Sequence, residues 1–175
     1  MRLFIAIDFN EFKDYFVELQ SRLPKNVRLS CTRTFHITLK FLGEVQPNIG
    51  ENIIHILKNI KFHAFSVFLE GIGTFPSENN IRVIWVGIKP EDKILELQKQ
   101  IDESLKPLFK IEKEFKAHIT LARVRYIENK KDFVEQLKRI KVENKKIEIK
   151  NFRLINSTLT PKGAVYENLM VFEGE

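Results

Sequence analysis

Residues 35–41 read FHITLKF and residues 117–123 read AHITLAR. The tetrapeptide His-Ile-Thr-Leu thus occurs twice in 175 residues, the copies lying 82 positions apart, one in each half of the chain. Ile and Thr are β-branched, and both runs are short and bounded, which favours strand over helix. Side chains alternate faces along a strand. His36, Thr38 and Lys40 are therefore expected on one face, and Ile37, Leu39 and Phe41 on the other. In the second copy His118 and Thr120 share a face, with Ile119 and Leu121 opposite. One face of each strand packs on a core. The other is polar and looks at water, a partner or a ligand.

Outward from these strands the pattern is mixed α+β. Residues 2–8 predict a strand. Phe12, Tyr15, Phe16, Leu19 and Leu23 predict a helix over 11–23, with Asn10 as cap and Pro24 as stop. Strands are expected at 27–31 and 35–42, and a helix at 48–60 with Ile49, Ile53, Ile56, Leu57 and Ile60 on one face. Strands at 63–74 and 81–88 flank the loop FPSENN. A helix over 91–109 follows Pro90, and Pro107 ends or kinks it. Then come a strand at 117–125, a helix at 131–140, and strands at 146–159 and 164–172 around the turn TPKG. No low-complexity linker divides the chain, so residues 1–175 are read as a single two-lobed domain. Each half holds one His-Ile-Thr-Leu strand, two helices and several strands. That suggests an internal duplication, although the halves otherwise look little alike.

Composition bounds the function. A 43% hydrophobic content with 15 Phe suffices for a core. No apolar run reaches the ~18 residues of a membrane span. MRLFIAIDFNE ends its apolar stretch at Asp8 without a small-residue cleavage site, and reads as a first strand rather than a signal peptide. The one cysteine, Cys31, excludes an internal disulfide, argues for a cytoplasmic setting, and is read as a small, partly buried residue. A net charge of +6 suits a polyanionic partner. The excess is uneven: residues 105–153 hold 15 Lys and Arg against 7 Asp and Glu. Any one of these lysines is as well explained by a solvated surface.

The chemistry rests on the repeated His-x-Thr. The two side chains lie ~7 Å apart along a strand, the span of a phosphate group. The Thr hydroxyl can donate to a non-bridging oxygen while the His reaches a bridging oxygen or a water. Two such pairs across a cleft suit in-line displacement at phosphorus. One imidazole takes a proton from the nucleophile, and the other gives one to the leaving oxygen. A metal site is disfavoured: His-x-Thr is not ligand spacing, and there is no His-x-x-x-His and no Cys cluster. His55 and His63 have no repeat partner and are read as helix-surface and strand-edge residues. The Gly-x-Gly at 71–73 lacks a nucleotide-binding fingerprint.

HITLKFLGEV and AHITLARV resemble the two signature motifs of the two-histidine phosphoesterase superfamily, and within it the RNA 2′,3′-cyclic phosphodiesterases, or 2′-5′ RNA ligases. MRLFIAID, GIGTFPSENNIRVIWVGI and STLTPKGAVYENL resemble that family at matching places. Ala117 departs from it, since many relatives have Pro there. The resemblance implies a bilobal α+β fold, with two antiparallel sheets flanking a central cleft, helices outside and a pseudo-twofold axis. It implies metal-independent, cofactor-free opening of RNA 2′,3′-cyclic phosphate ends to 2′-phosphates, and 2′-5′ joining of RNA ends. The implied partners are RNA with 2′,3′-cyclic phosphate or 5′-hydroxyl ends, tRNA fragments among them, with no membrane and the chain a monomer. The implied catalysts are His36 as general acid and His118 as general base, with Thr38 and Thr120 holding the phosphate. Strict alternation sets Arg123 on the face opposite His118. The family usually keeps Arg there, so a bulge or the strand end is needed to bring it to the phosphate; otherwise it is a surface arginine. By parity Lys40 faces the cleft and reaches the RNA backbone. Phe75 either stacks on the terminal base or is a buried anchor beside Pro76. Trp85 is read as core. Arg82, Lys162 and Tyr166 are placed at the cleft rim as RNA contacts. The competing readings are a non-catalytic RNA-end or phosphate-binding module, and a phosphoesterase acting on another cyclic phosphate.

Overall fold

The computed structural model describes residues 1–175. Its elements run β1 (Arg2–Asp8), α1 (Lys13–Ser21), β2 (Val27–Cys31), β3 (His36–Glu44), α2 (Pro47–Leu57), β4 (Phe65–Pro76) and β5 (Ile81–Lys89). They continue with α3 (Asp92–Ser104), β6 (Ile119–Ile127), α4 (Lys130–Lys138), β7 (Lys146–Ile149), β8 (Asn151–Thr160) and β9 (Gly163–Glu173). α3 stops at Ser104, three residues before Pro107.

Two antiparallel sheets result. One has four strands in the order β3-β1-β8-β9, the other five in the order β2-β6-β5-β4-β7. The sheets do not follow the halves of the sequence. β2, from the first half, edges the sheet that carries the second His-Ile-Thr-Leu, and β8 and β9 complete the sheet that carries the first. The strand expected over 146–159 is two. The buried positions are Ile147 and Ile149, then Phe152 and Leu154, so the alternation changes phase at Lys150. The chain crosses there from the five-stranded sheet to the four-stranded one.

A cluster of 31 buried residues draws on both sheets and on α1, α2 and α3. α4 sets Phe133 and Leu137 into a smaller cluster with Ile84 and Ala122. Each buried Leu, Ile or Phe stabilises the fold by ~1.5–3 kcal/mol. Asn10 is not a helix cap. Its side chain instead accepts the Phe35 N–H at 2.8 Å, tying the turn after β1 to the entry of β3. No helix is long and apolar enough to cross a membrane.

Candidate active site

His36 opens β3, and His118 immediately precedes β6. In each strand the alternation breaks directly after His-Ile-Thr. Along β1, Ala6 faces Thr38 and Ile5 faces Lys40, so Leu39 is the extra residue of a bulge. Along β5, Trp85 faces Thr120 and Ile84 faces Ala122, so Leu121 is the extra residue. A bulge leaves backbone groups off the ladder. At Leu121 the carbonyl accepts from Gln20 Nε2 of α1 at 2.8 Å and from the Thr32 N–H at 2.9 Å. At Leu39 the carbonyl takes a longer 3.5 Å contact from Gln98 Nε2 of α3. The two motifs thus share their four letters, their bulge and a helical glutamine behind it.

The bulges decide which side chains reach the cleft. Lys40, expected there as an RNA contact, turns inward with Leu39. It is 5% exposed and is paired with Asp102 of α3. Its ammonium also donates to the Lys110 carbonyl at 2.7 Å. Phe41, expected in the core, is 74% exposed and packs 6.0 Å from Phe4 on the His36 face. In β6, Leu121 and Ala122 are both buried, and the phase change carries Arg123 to the His118 side, close enough for its charge to depress the His118 pKa.

His36 lies opposite Asp8 of β1. Asp8 accepts from Arg153 of β8 at 2.7 Å and from the Asn10 N–H at 2.6 Å. Burial pushes His36 down to about 4; the Asp8 carboxylate works against this and the charge of His118 works with it. The two imidazoles therefore sense each other, as β3 and β6 approach. His118 is also lowered, first by burial. A bond to the Lys116 carbonyl opposes the shift, and Arg123 and Lys116 add to it. His118 Nδ1 lies 2.8 Å from that carbonyl. A carbonyl only accepts, so Nδ1 carries the proton and Nε2 of the neutral ring is left with a free lone pair.

Aromatic rings flank both histidines. Tyr166 of β9 meets His36 edge-on at 5.7 Å, and Phe4 lies 5.2 Å from each of them. Phe75 meets His118 edge-on at 4.8 Å and lies 5.0 Å from Trp85. Phe75 is thus a half-buried cleft residue rather than a deep anchor. Trp85, read as core, faces the same side, with the Lys116 ammonium 5.1 Å from its ring centre. It lies flat against the backbone of Gly73, where a Cβ would come within 2.2 Å of the indole. Arg82 is exposed where the β4–β5 pairing shifts register, and Lys162 is exposed at the β8–β9 turn. Neither touches a histidine. Cys31 is exposed. Sequence reading missed Asp8, Arg153, Phe4 and Phe41; the first two are visible only through strand pairing.

Two antiparallel sheets that each present a His-x-Thr pair, with a bulge behind it, define a two-histidine phosphoesterase architecture. The chain belongs to the LigT-like phosphoesterase family, whose model matches residues 7–85 and again 86–166. It is 39% identical over 171 residues to a Methanocaldococcus jannaschii protein named RNA 2′,3′-cyclic phosphodiesterase, covering 95% of this chain and 97% of that one. A Thermotoga maritima protein of the same name is 33% identical, with 99% and 97% covered. Among solved structures, a Thermus thermophilus protein superposes with a TM-score of 0.83 at 26% identity, covering 99% and 97% of the two chains. Apo Escherichia coli LigT gives 0.78 at 20% identity, with 99% and 96% covered, and shares the fold.

Proposed function

We propose that the protein hydrolyses the 2′,3′-cyclic phosphate at an RNA 3′ end to a 2′-phosphate, using His36 and His118 as an acid–base pair. The observation that carries this reading is the pair of His-x-Thr strands facing one another, each re-phased by a bulge at the same place. The cyclic phosphodiesterase names of relatives up to 39% identical support the substrate class.

In the mechanism, Thr38 and Thr120 donate hydroxyl hydrogens to the non-bridging oxygens. Arg123 adds a cationic fork on the His118 side, suited to bidentate phosphate contact. The free Nε2 of His118 takes a proton from water as its oxygen bonds to phosphorus. The P–O3′ bond breaks on the far side, and protonated His36 delivers its proton to O3′. Burial keeps His36 neutral in the free protein near neutral pH, so the acid is charged only when the anionic phosphate replaces lost hydration. The same steps in the same direction, with an RNA 5′-hydroxyl in place of water, account for 2′-5′ end joining. No three His, Cys, Asp or Glu side chains are grouped to hold a metal, and the roles above use none.

The test is turnover of a cyclic-phosphate-ended oligonucleotide in excess chelator. His36→Ala and His118→Ala should each cut turnover ~10²–10⁴-fold while RNA still binds, and the double change should cost far less than their product. Full turnover in both single variants would leave a phosphate-binding module in place of the enzyme. Turnover lost to the chelator and restored by a divalent metal would overturn the metal-free mechanism.

A further inference from the structure

The face of β6 that carries His118 does not end at the cleft. Val124 and Ile127 pack on the second core cluster, together with Val27 and Leu29 of β2. The other face is therefore formed by the residues between them. Arg123 pairs with Ser30, and Tyr126 pairs with Arg28. Arg125 is the extra residue of a second bulge and donates from Nε to Ser30 Oγ at 3.0 Å, which places it on that same face. Arg28, Arg123, Arg125 and Tyr126 are all exposed, the last at 58%. None of the three arginines takes part in an ion pair, although the protein forms seven others.

The face thus runs from the catalytic histidine as His118, Thr120, Arg123, Arg125, Arg28 and Tyr126: free guanidinium groups ending on an exposed aromatic ring. From His118 to Tyr126 the strand spans ~25 Å, room for roughly four nucleotides. Arg123 and Arg125 stand ~7 Å apart along it, matching successive phosphates of an extended strand. Unpaired arginines suit phosphates, and an exposed tyrosine suits a base face of any identity.

We infer that this β6–β2 face is a track for single-stranded RNA. It would hold the nucleotides on the 5′ side of the terminal phosphate, with Arg125 and Arg28 on backbone phosphates and Tyr126 under a base. The polarity follows from the chemistry. A cyclic phosphate ends its chain, so in hydrolysis the only RNA leaving the site is 5′ of the reacting phosphorus. This rests on the proposed cyclic phosphodiesterase reading and adds the length and form of its substrate.

The test compares kcat/KM for a 2′,3′-cyclic mononucleotide and a cyclic-phosphate-ended octanucleotide, with octamer affinity measured against salt. Wild type should favour the octamer at least tenfold. In Arg28→Gln/Arg125→Gln that ratio should collapse toward one, and the slope of log affinity against log salt should become shallower by about 1.4, or ~0.7 for each phosphate released. Tyr126→Ala should lower octamer affinity without changing the salt slope. A wild type indifferent to length, a double variant that keeps its ratio, or displacement of the octamer by polyglutamate as readily as by polyuridylate overturns the track. If the mononucleotide and octamer are both bound but neither is turned over, the hydrolase reading fails. The salt slope of the double variant then still decides the track.

Discussion

Replacing Lys40 with Ala should unfold the protein more easily without touching its contact with RNA. The Lys40 and Asp102 side chains are each 4% exposed and are bonded to one another. Lys40 also donates to the Lys110 carbonyl at 2.7 Å, and Asp102 accepts the Glu112 N–H at 2.7 Å. Removing the ammonium leaves a buried carboxylate with one backbone donor and a carbonyl with none. Breaking a buried pair from one side costs ~3–5 kcal/mol. At ~2–4 °C per kcal/mol for a domain of this size, Tm should fall by ~6–20 °C. Urea unfolding followed by circular dichroism would measure the loss. Lys40→Met/Asp102→Leu should return to within ~1 kcal/mol of wild type, because that change removes both charges together. A cost below ~1 kcal/mol for Lys40→Ala, the range of an exposed pair, would refute the argument. So would a fall in RNA affinity at unchanged stability, which would restore Lys40 to the cleft.

Gly73→Ala should displace Trp85, since even a methyl group at 73 overlaps the indole. Tryptophan emission should shift, and turnover should fall as Phe75 and His118 lose the ring behind them, while an unchanged spectrum would show that the indole does not need the glycine. In the pH profile, the kcat/KM bell should be centred below 6.5, because burial holds both histidines of the free protein under their ordinary range, His36 at about 4. A bell centred above 7 would contradict that burial.

Much of this architecture was readable because it is periodic. The faces of α1 and α2, the ends of β1 and β2, and the polar His-x-Thr face all follow from spacing. What failed was parity carried past a bulge. Lys40 and Phe41 were exchanged between core and cleft because Leu39 adds one residue to β3, and alternation has no way to register the insertion. The donors that steady the bulges, Gln20 and Gln98, sit on helices far away in sequence. Trp85, read as core, lies on the opposite face. A large aromatic reads as core, and only the pairing of β4 with β5 reveals the glycine shelf at 73 on which it lies in the cleft. The sheets were legible as strands but not as partners, since β2 and β8 each join the sheet of the other half of the chain.

The repeat makes the two histidines look interchangeable, and their neighbours make them unequal. Three residues beyond each threonine, the bulge delivers one side chain to the cleft: Phe41 in the first motif and Arg123 in the second. The second histidine therefore faces a cation, with Lys116 adding another, and both disfavour its imidazolium. The first faces the Asp8 carboxylate, which favours its imidazolium. Burial lowers both, His36 further than His118, and a bound phosphate raises both, so the local charges oppose the difference that burial sets. They favour proton donation from His36 and proton acceptance by His118. His36 has the lower pKa of the two in the free protein, so Asp8→Asn should move the acidic limb of kcat/KM to lower pH and, with His36 as the acid, lower the plateau, because less of the protein then holds a charged His36 beside a neutral His118. Arg123→Gln relieves the depression of His118, which has the higher pKa of the two, and should move the alkaline limb to higher pH. Each change widens the bell from its own side. Should Asp8→Asn move the acidic limb and leave the plateau unchanged, His36 is the base, and the proton runs through the site in the opposite direction.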